Sequence, residues 1–258
     1  MDNEEKRIKV FRELRERTAK TCCALTITDD EPDILDNKIG GTPYLPIGEP
    51  YPRRRDGQPL ALLLQVNCKD IGLPEFPSEG ILEIFLDNEV RYPAEFEVRY
   101  FEEGKPYQTD LPEVDTECFV VKKGYRVTAE TSMVIIPFDD FRAESILREV
   151  AEKYGLNISE DIDELYKLRD FCANIEYYGK IFAGLPETDI TLGGYAEFTQ
   201  CDPREEGNEN TECLFKLDSC ADLSKLHLGD AGILSVMISK EALKKKRFTD
   251  AILDWDCL

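Results

Sequence analysis

Two glycine pairs, Gly40-Gly41 and Gly193-Gly194, constrain this chain more than any other feature, because the same two apolar runs follow each of them in the same order. The run "LLLQVN" (62–67) corresponds to "CLFKLD" (213–218), and "EGILEIFL" (79–86) to "AGILSVMI" (231–238). Gly41 and Gly194 are 153 residues apart, Asn67 and Asp218 are 151 apart, and Gly80 and Gly232 are 152 apart. Self-similarity at a nearly fixed offset marks repetition, and a unit of ~150 residues is far longer than that of any stacked solenoid. The expectation is one body, residues 1–258, built from two related β-rich pseudo-repeats at about 36–90 and 190–257. Paired glycines adopt positive φ without steric penalty, so Gly40, Gly41, Gly193 and Gly194 are read as structural turns ahead of a strand.

Alternation then assigns faces. In the first copy Leu82, Ile84 and Leu86 point one way and Ile81, Glu83 and Phe85 the other; in the second, Leu234, Val236 and Ile238 oppose Ile233, Ser235 and Met237. Both copies place one polar residue at the same step of the same face. The unbroken run "LALLL" reads as a strand buried on both sides.

Around these units the chain reads as a helix over 4–18 and as short strands in "CCALTIT", "LALLLQVN", "GILEIFL", "FEVRYF", "CFVVKKGYRVTA" and "SMVIIPF". Helices follow over 141–153 and 160–173, the second with Ser159 as N-cap. The closing part returns to strands in "AEFTQ", "CLFKLD" and "GILSVMIS", followed by the helical "KEALKKKRF" and the tail "DAILDWDCL". Strands grouped in runs, with helices in separate blocks, predict an α+β fold of largely antiparallel sheets with peripheral helices. The polar stretches 102–117 and 202–212 read as surface loops.

The residues quoted for the two copies, together with "KIGGTPYLP", "DGQPLALLLQVN", "LPEFPSEGILEIF", "LGGYAEFTQCDPR", "GDAGILSVMISKEAL" and "FTDAILDWDC", resemble the YwqG-like family, a domain-of-unknown-function family. The resemblance implies a single α+β body with an internal duplication and carries no established activity. Where that family usually has Trp-Pro after the glycine turn, this chain has Tyr51-Pro52, and the middle, from about 90 to 185, matches nothing in it.

Composition narrows the partners. The net charge of −21 disfavours phosphate backbones and anionic membrane surfaces, so neither nucleic acid nor membrane is an expected partner, while a basic protein would be attracted. Nine cysteines are scattered rather than gathered in a disulfide framework, and the N-terminal segment has no apolar stretch of an export signal; both readings point to the cytoplasm.

Reactive constellations are sparse. His227 is the single histidine, and no G-x-S-x-G elbow, G-x-x-x-x-G-K-[ST] loop or G-x-G-x-x-G loop occurs. Cys201, Cys213, Cys220 and His227 lack the paired spacing of zinc sites. "DPREEGNENTEC" fails as a calcium loop, since Arg204 and Cys213 stand where ligands belong. No metal or cofactor is therefore expected. Arg53-Arg54-Arg55 reads as an exposed loop balancing acidic neighbours. Gln65 and Gln200, each ending a β-like run, need partners if buried. The simpler role for them is bracing loops; the functional one has Tyr44, Gln65, Tyr195, Gln200, Asp202 and Arg204 lining a ligand-binding cleft where the halves meet. The expected function is a non-catalytic binding or interaction protein, inhibitor- or immunity-like toward a basic partner. The alternative is a small-ligand receptor or enzyme using that cleft.

Overall fold

A computed structural model describes residues 3–89, 93–158 and 162–257. In chain order the elements are α1 (Asn3–Thr18), β1 (Lys20–Ile27), β2 (Lys38–Ile39), β3 (Ala61–Asn67), β4 (Ile81–Leu86), β5 (Phe96–Phe101), β6 (Tyr125–Val134), α2 (Ala143–Lys153), α3 (Ile162–Ala183), β7 (Ile190–Gly193), β8 (Glu212–Asp218), β9 (Ile233–Ile238), α4 (Lys240–Lys244) and β10 (Ile252–Asp256). The ten strands form one sheet in the order β10-β9-β8-β7-β1-β6-β2-β3-β4-β5, and every pairing is antiparallel. The fold is α+β, a mostly antiparallel sheet bent almost into a barrel and accompanied by four helices. Its two ends approach each other where Tyr100 of β5 packs on Phe248, just before β10, with ring centroids 5.9 Å apart, and where the Lys246 ammonium donates to the Tyr100 hydroxyl at 3.0 Å.

The long central pair β1–β6 joins two four-strand wings, β7-β8-β9-β10 on one side and β2-β3-β4-β5 on the other. Inside the curl lies one apolar cluster fed by both wings, with Leu64, Leu82 and Ile84 meeting Leu214, Leu234 and Val236. The faces read from alternation hold. Leu82, Ile84 and Leu86 enter this core, while Ile81 and Phe85 pack in separate clusters under the loop that carries Tyr44, Leu45 and Tyr51. In the other wing Leu234, Val236 and Ile238 point inward, and Met237 packs outside with Ala196 and Phe198. Thus the segment after each glycine pair folds over the outer face of its own wing.

Several expectations are corrected. Each glycine pair ends a short strand, β2 or β7, rather than preceding one, because Ile39 and Leu192 pair with neighbours before the chain turns. "AEFTQ" is not a strand: Phe198, Thr199 and Gln200 give their N–H groups to carboxylates of Asp139 and Asp256 instead of to a neighbouring strand. The tail contains an edge strand, β10, and residues 118–123 leave the strand expected there. Helix α3 runs ten residues beyond 173. Ser159, proposed as a cap, lies outside the described residues.

The wings share local detail. Gly40 and Gly41 have φ of 69° and 79°, and Gly193 and Gly194 have 72° and 75°. A register shift falls between Leu62 and Leu64 in one wing and between Cys213 and Phe215 in the other. Asn67 caps a 3-10 turn by accepting from Lys69 N–H, and Asp218 does the same with Cys220 N–H. One register row crosses each wing: Arg126-Lys38-Gln65-Glu83-Arg99 and Ala24-Thr191-Lys216-Ser235-Asp254.

Gly40 has a second constraint besides its backbone. A Cβ there would lie 2.8 Å from the Lys123 carbonyl oxygen and 2.8 Å from Val121 Cγ1, whereas at Gly57, φ 89°, it would meet nothing within 4 Å. Gly57→Ala should therefore cost about 1–2 kcal/mol, the penalty of left-handed backbone alone. Gly40→Ala should cost clearly more, and urea unfolding of the two variants checks the ordering.

Candidate functional site

The buried face of α3 begins as an ordinary apolar stripe, Leu165, Leu168 and Cys172, packed with α1 and α2 over the outer side of β1 and β6. Continued by four residues at a time, the same stripe brings Glu176 and then Lys180. A cavity of about 590 Å³ opens between α3, the chain leaving β6 (Val134 to Phe138) and the segment 185–189 that leads into β7. Ile136, Phe138, Tyr177 and Ile181 give it apolar and aromatic walls, while Glu176, Lys180, Glu187, Asp189 and Glu197 supply charge.

Each charged group has a structural reason to be there. Glu197 follows the second glycine turn; its N–H donates to Ser235 Oγ (3.2 Å) and its carbonyl accepts from the same hydroxyl (3.0 Å). That places its carboxylate 2.7 Å from the buried Lys216 ammonium. Burial alone would lower the Lys216 pKa, but the Glu197 carboxylate outweighs it and the net direction is upward. Lys180 donates to Thr188 Oγ1 at 3.0 Å, and burial pulls its pKa below the ordinary lysine value. Glu176 is 8% exposed, and its Oε2 has no hydrogen-bond partner; the Arg15 guanidinium stands 3.7 Å away. Burial pushes Asp189 above the usual carboxylate range. A half-apolar cavity holding a few convergent polar groups with shifted titration is the usual form of a small-ligand site.

The six residues expected to line a cleft fall into separate networks, and none of them lines this cavity. Gln65 is fully buried on β3; its Oε1 accepts from Tyr44 N–H at 2.7 Å and its Nε2 donates to the Ile34 and Asp36 carbonyls at 2.8 and 3.0 Å. This is a brace that ties the loop after β1 and the glycine loop to the sheet. Tyr44 extends it by donating to the Lys105 carbonyl at 2.9 Å. In the other wing Arg204, 2% exposed, bonds Asp202 through Nε (2.8 Å) and Nη2 (2.7 Å) and reaches Asp140 at 3.0 Å. Its guanidinium lies over the rings of Phe141 and Phe198. Arg142 pairs with Asp140 and lies 5.7 Å from the Tyr195 ring, whose hydroxyl donates to Thr18 carbonyl at 2.7 Å. Gln200 sits near the surface, donating to the Cys257 carbonyl at 2.8 Å.

Of the arginine triplet, Arg54 is paired with Asp87 at 3.0 Å and Asp56 at 2.9 Å, and Arg55 stands in solvent. Glu176, Lys180 and Asp189 were missed from sequence because they fall within or beside the unmatched middle. The available signal was two charges continuing a buried helical stripe.

A family model described as a domain of unknown function (DUF1963) matches residues 37–257. The chain belongs to the DUF1963 family. Both glycine pairs, both polar rows apart from Ala24, and the whole cavity lie within the part of this DUF1963 protein that matches, while α1 and β1 precede it. A search of curated proteins found no match. Among the described residues no helix is long and apolar enough to cross a membrane, and no group of three or more His, Cys, Asp or Glu is placed to hold a metal ion.

Proposed function

We propose that this DUF1963 protein is a non-catalytic binding protein that receives its ligand in the cavity beneath the C-terminal half of α3. The observation that carries this reading is the cavity itself, about 590 Å³, within the size range of ligand sites and partly walled by charged groups whose titration is shifted by burial. The absence of catalysis rests on the sequence, with its single histidine and no nucleophile motif. A cytoplasmic setting is supported by nine cysteines, all free.

We also read the two wings as copies of one unit, the feature shared with the YwqG-like family. What supports it is agreement in glycine φ, in register shift and in capped 3-10 turn at offsets near 152 residues. On that reading the copies have diverged, the first keeping a closed polar brace and the second opening toward a cavity under the inserted helices.

A thermal-shift screen of metabolites tests the binding reading. A ligand at a hundred times its Kd should add about 2.7 kcal/mol of stability, and the shift should vanish in Ala173→Trp, a change at an exposed position on the cavity wall. A shift that survives this block, or no stabilising metabolite at all, counts against the cavity. A second reading, a basic protein drawn by the charge of −21, uses the same acidic lining and is separated from the first by the peptide arm described next.

A further inference from the structure

We infer that the cavity under α3 binds a primary ammonium or guanidinium group carried on an apolar stem, with Glu176 and Asp189 accepting its N–H donors. The inference rests on the cavity being a ligand site and adds the chemical class. Four carboxylates line the cavity, Glu176, Glu187, Asp189 and Glu197, against one ammonium, Lys180. Of the positive groups near them, Lys180 donates to Thr188, Lys216 pairs with Glu197, and the partly exposed Arg15 stands 3.7 Å from Glu176, beyond hydrogen-bond distance.

What remains unmatched is acceptor capacity. Glu176 is more than nine-tenths buried, lines the cavity, and has an Oε2 that accepts no hydrogen bond and faces a cation only at the 3.7 Å of the Arg15 guanidinium. A buried carboxylate oxygen in that state costs free energy that a donor from a ligand would recover. Among the described residues no donor reaches the Asp189 carboxylate either, and its raised pKa, caused first by burial and then by Asp218 and Glu187 among its acidic neighbours, is relieved by an incoming cation. An anionic ligand would meet the opposite situation and lose its water beside four carboxylates.

The walls select the rest of the molecule. Ile136 and Ile181 suit an alkyl or aryl stem, and Tyr177 adds an aromatic ring to the lining. A net charge of −21 would speed the arrival of such a group. The same chemistry is available from a free amine or from a lysine side chain on a basic protein.

Calorimetric titration with 4-phenylbutylamine, 4-phenylbutan-1-ol, 4-phenylbutyrate and the end-blocked peptide acetyl-Gly-Lys-Gly-amide tests this. The amine should bind at least about tenfold more tightly than the alcohol, the carboxylate should not bind, and Glu176→Gln and Asp189→Asn should each weaken the amine by about tenfold with the alcohol unaffected. Glu241→Gln, which removes a charge on exposed α4, should change nothing. Melting of the ligand-free variants confirms that they fold. Peptide binding comparable to the amine assigns the cation to a protein side chain; weaker peptide binding assigns it to a free amine. If the alcohol or carboxylate binds as well as the amine, the cation is wrong and the cavity stands. If the amine fails to bind, or both neutralised variants keep it unchanged, the inference is overturned, and the metabolite screen decides the cavity independently.

Discussion

Arg204→Ala should destabilise the protein by about 3–5 kcal/mol, the usual cost of stripping the cation from a buried ion network. Arg204 and the Asp140 and Asp202 side chains are almost wholly out of water, and the guanidinium bonds both carboxylates while spanning two aromatic rings. Removing it leaves two buried negative charges 62 positions apart in sequence with Arg142 on one of them and the Phe141 N–H on the other. Arg204→Lys should lose less, since it keeps the charge but not the fork that reaches both partners. Asp140→Asn placed on Arg204→Ala should recover part of the loss. The check is urea unfolding at pH 7; a cost below ~1 kcal/mol would mean that the network contributes no more than a surface pair.

Glu83→Gln should remove a fall in stability that the native protein is expected to show as the pH rises above 4.5. Glu83 has no exposed surface, and neither carboxylate oxygen has a hydrogen-bond partner. Burial drives its pKa well above the ordinary 4.5; the Tyr44 N–H, which bonds Gln65, and the charges of Lys38 and Arg99 offset only part of this. The folded chain therefore holds a proton that the unfolded chain releases above pH 4.5. Stability from this group is complete below that pH and falls, at up to about 1.4 kcal/mol per pH unit, as the pH rises from there toward the raised folded-state pKa. The amide mimics the protonated acid at every pH, so the variant should match the native protein near pH 4 and exceed it by a margin that grows as the pH rises above 4.5. Lys38 acts in the opposite sense at higher pH. Burial lowers its pKa to about 8, so the fold sheds that proton before the unfolded chain does and stability rises from pH 8 toward 10.5. Denaturation curves from pH 4.5 to 8 that run parallel for both proteins would show that Glu83 is not held neutral.

Glu83 belongs to one of two comparably placed register rows whose surroundings differ. In the first wing Lys38, Gln65 and Glu83 are sealed beneath the glycine loop, with Gln65 spending its three bonds on backbone groups. In the second wing Lys216 occupies the place of Gln65 and sends its charge to Glu197 at the edge of the cavity. A closed brace thus stands in one row, and in the other a lysine paired toward the acidic cavity.

Much of the architecture could be read from residues alone where the signal is local. Alternation in 81–86 and 233–238 assigned each side chain to its face, because successive side chains on a strand point to opposite sides. The glycine pairs declared positive φ because other residues pay a steric penalty there. Antiparallel pairing followed from the lack of crossover helices.

Tertiary structure decided everything that depends on which distant segment becomes a neighbour. The two-residue strand β2 and four-residue β7 are too short to show a period, and they exist because β3, β6, β1 and β8 offer them backbone partners. "AEFTQ" has a strand-like composition, yet carboxylates from the 139–140 turn and from β10 take its N–H groups first. Asp202 and Arg204 looked available in an acidic loop, but the turn carrying Asp140 covers them. Glu176 and Lys180 lie beyond the helix expected from sequence, on the added turns of α3, and line a cavity. A side chain's identity sets what it can bond, whereas burial and partners come from surfaces brought together by the folded sheet, and those carry the site.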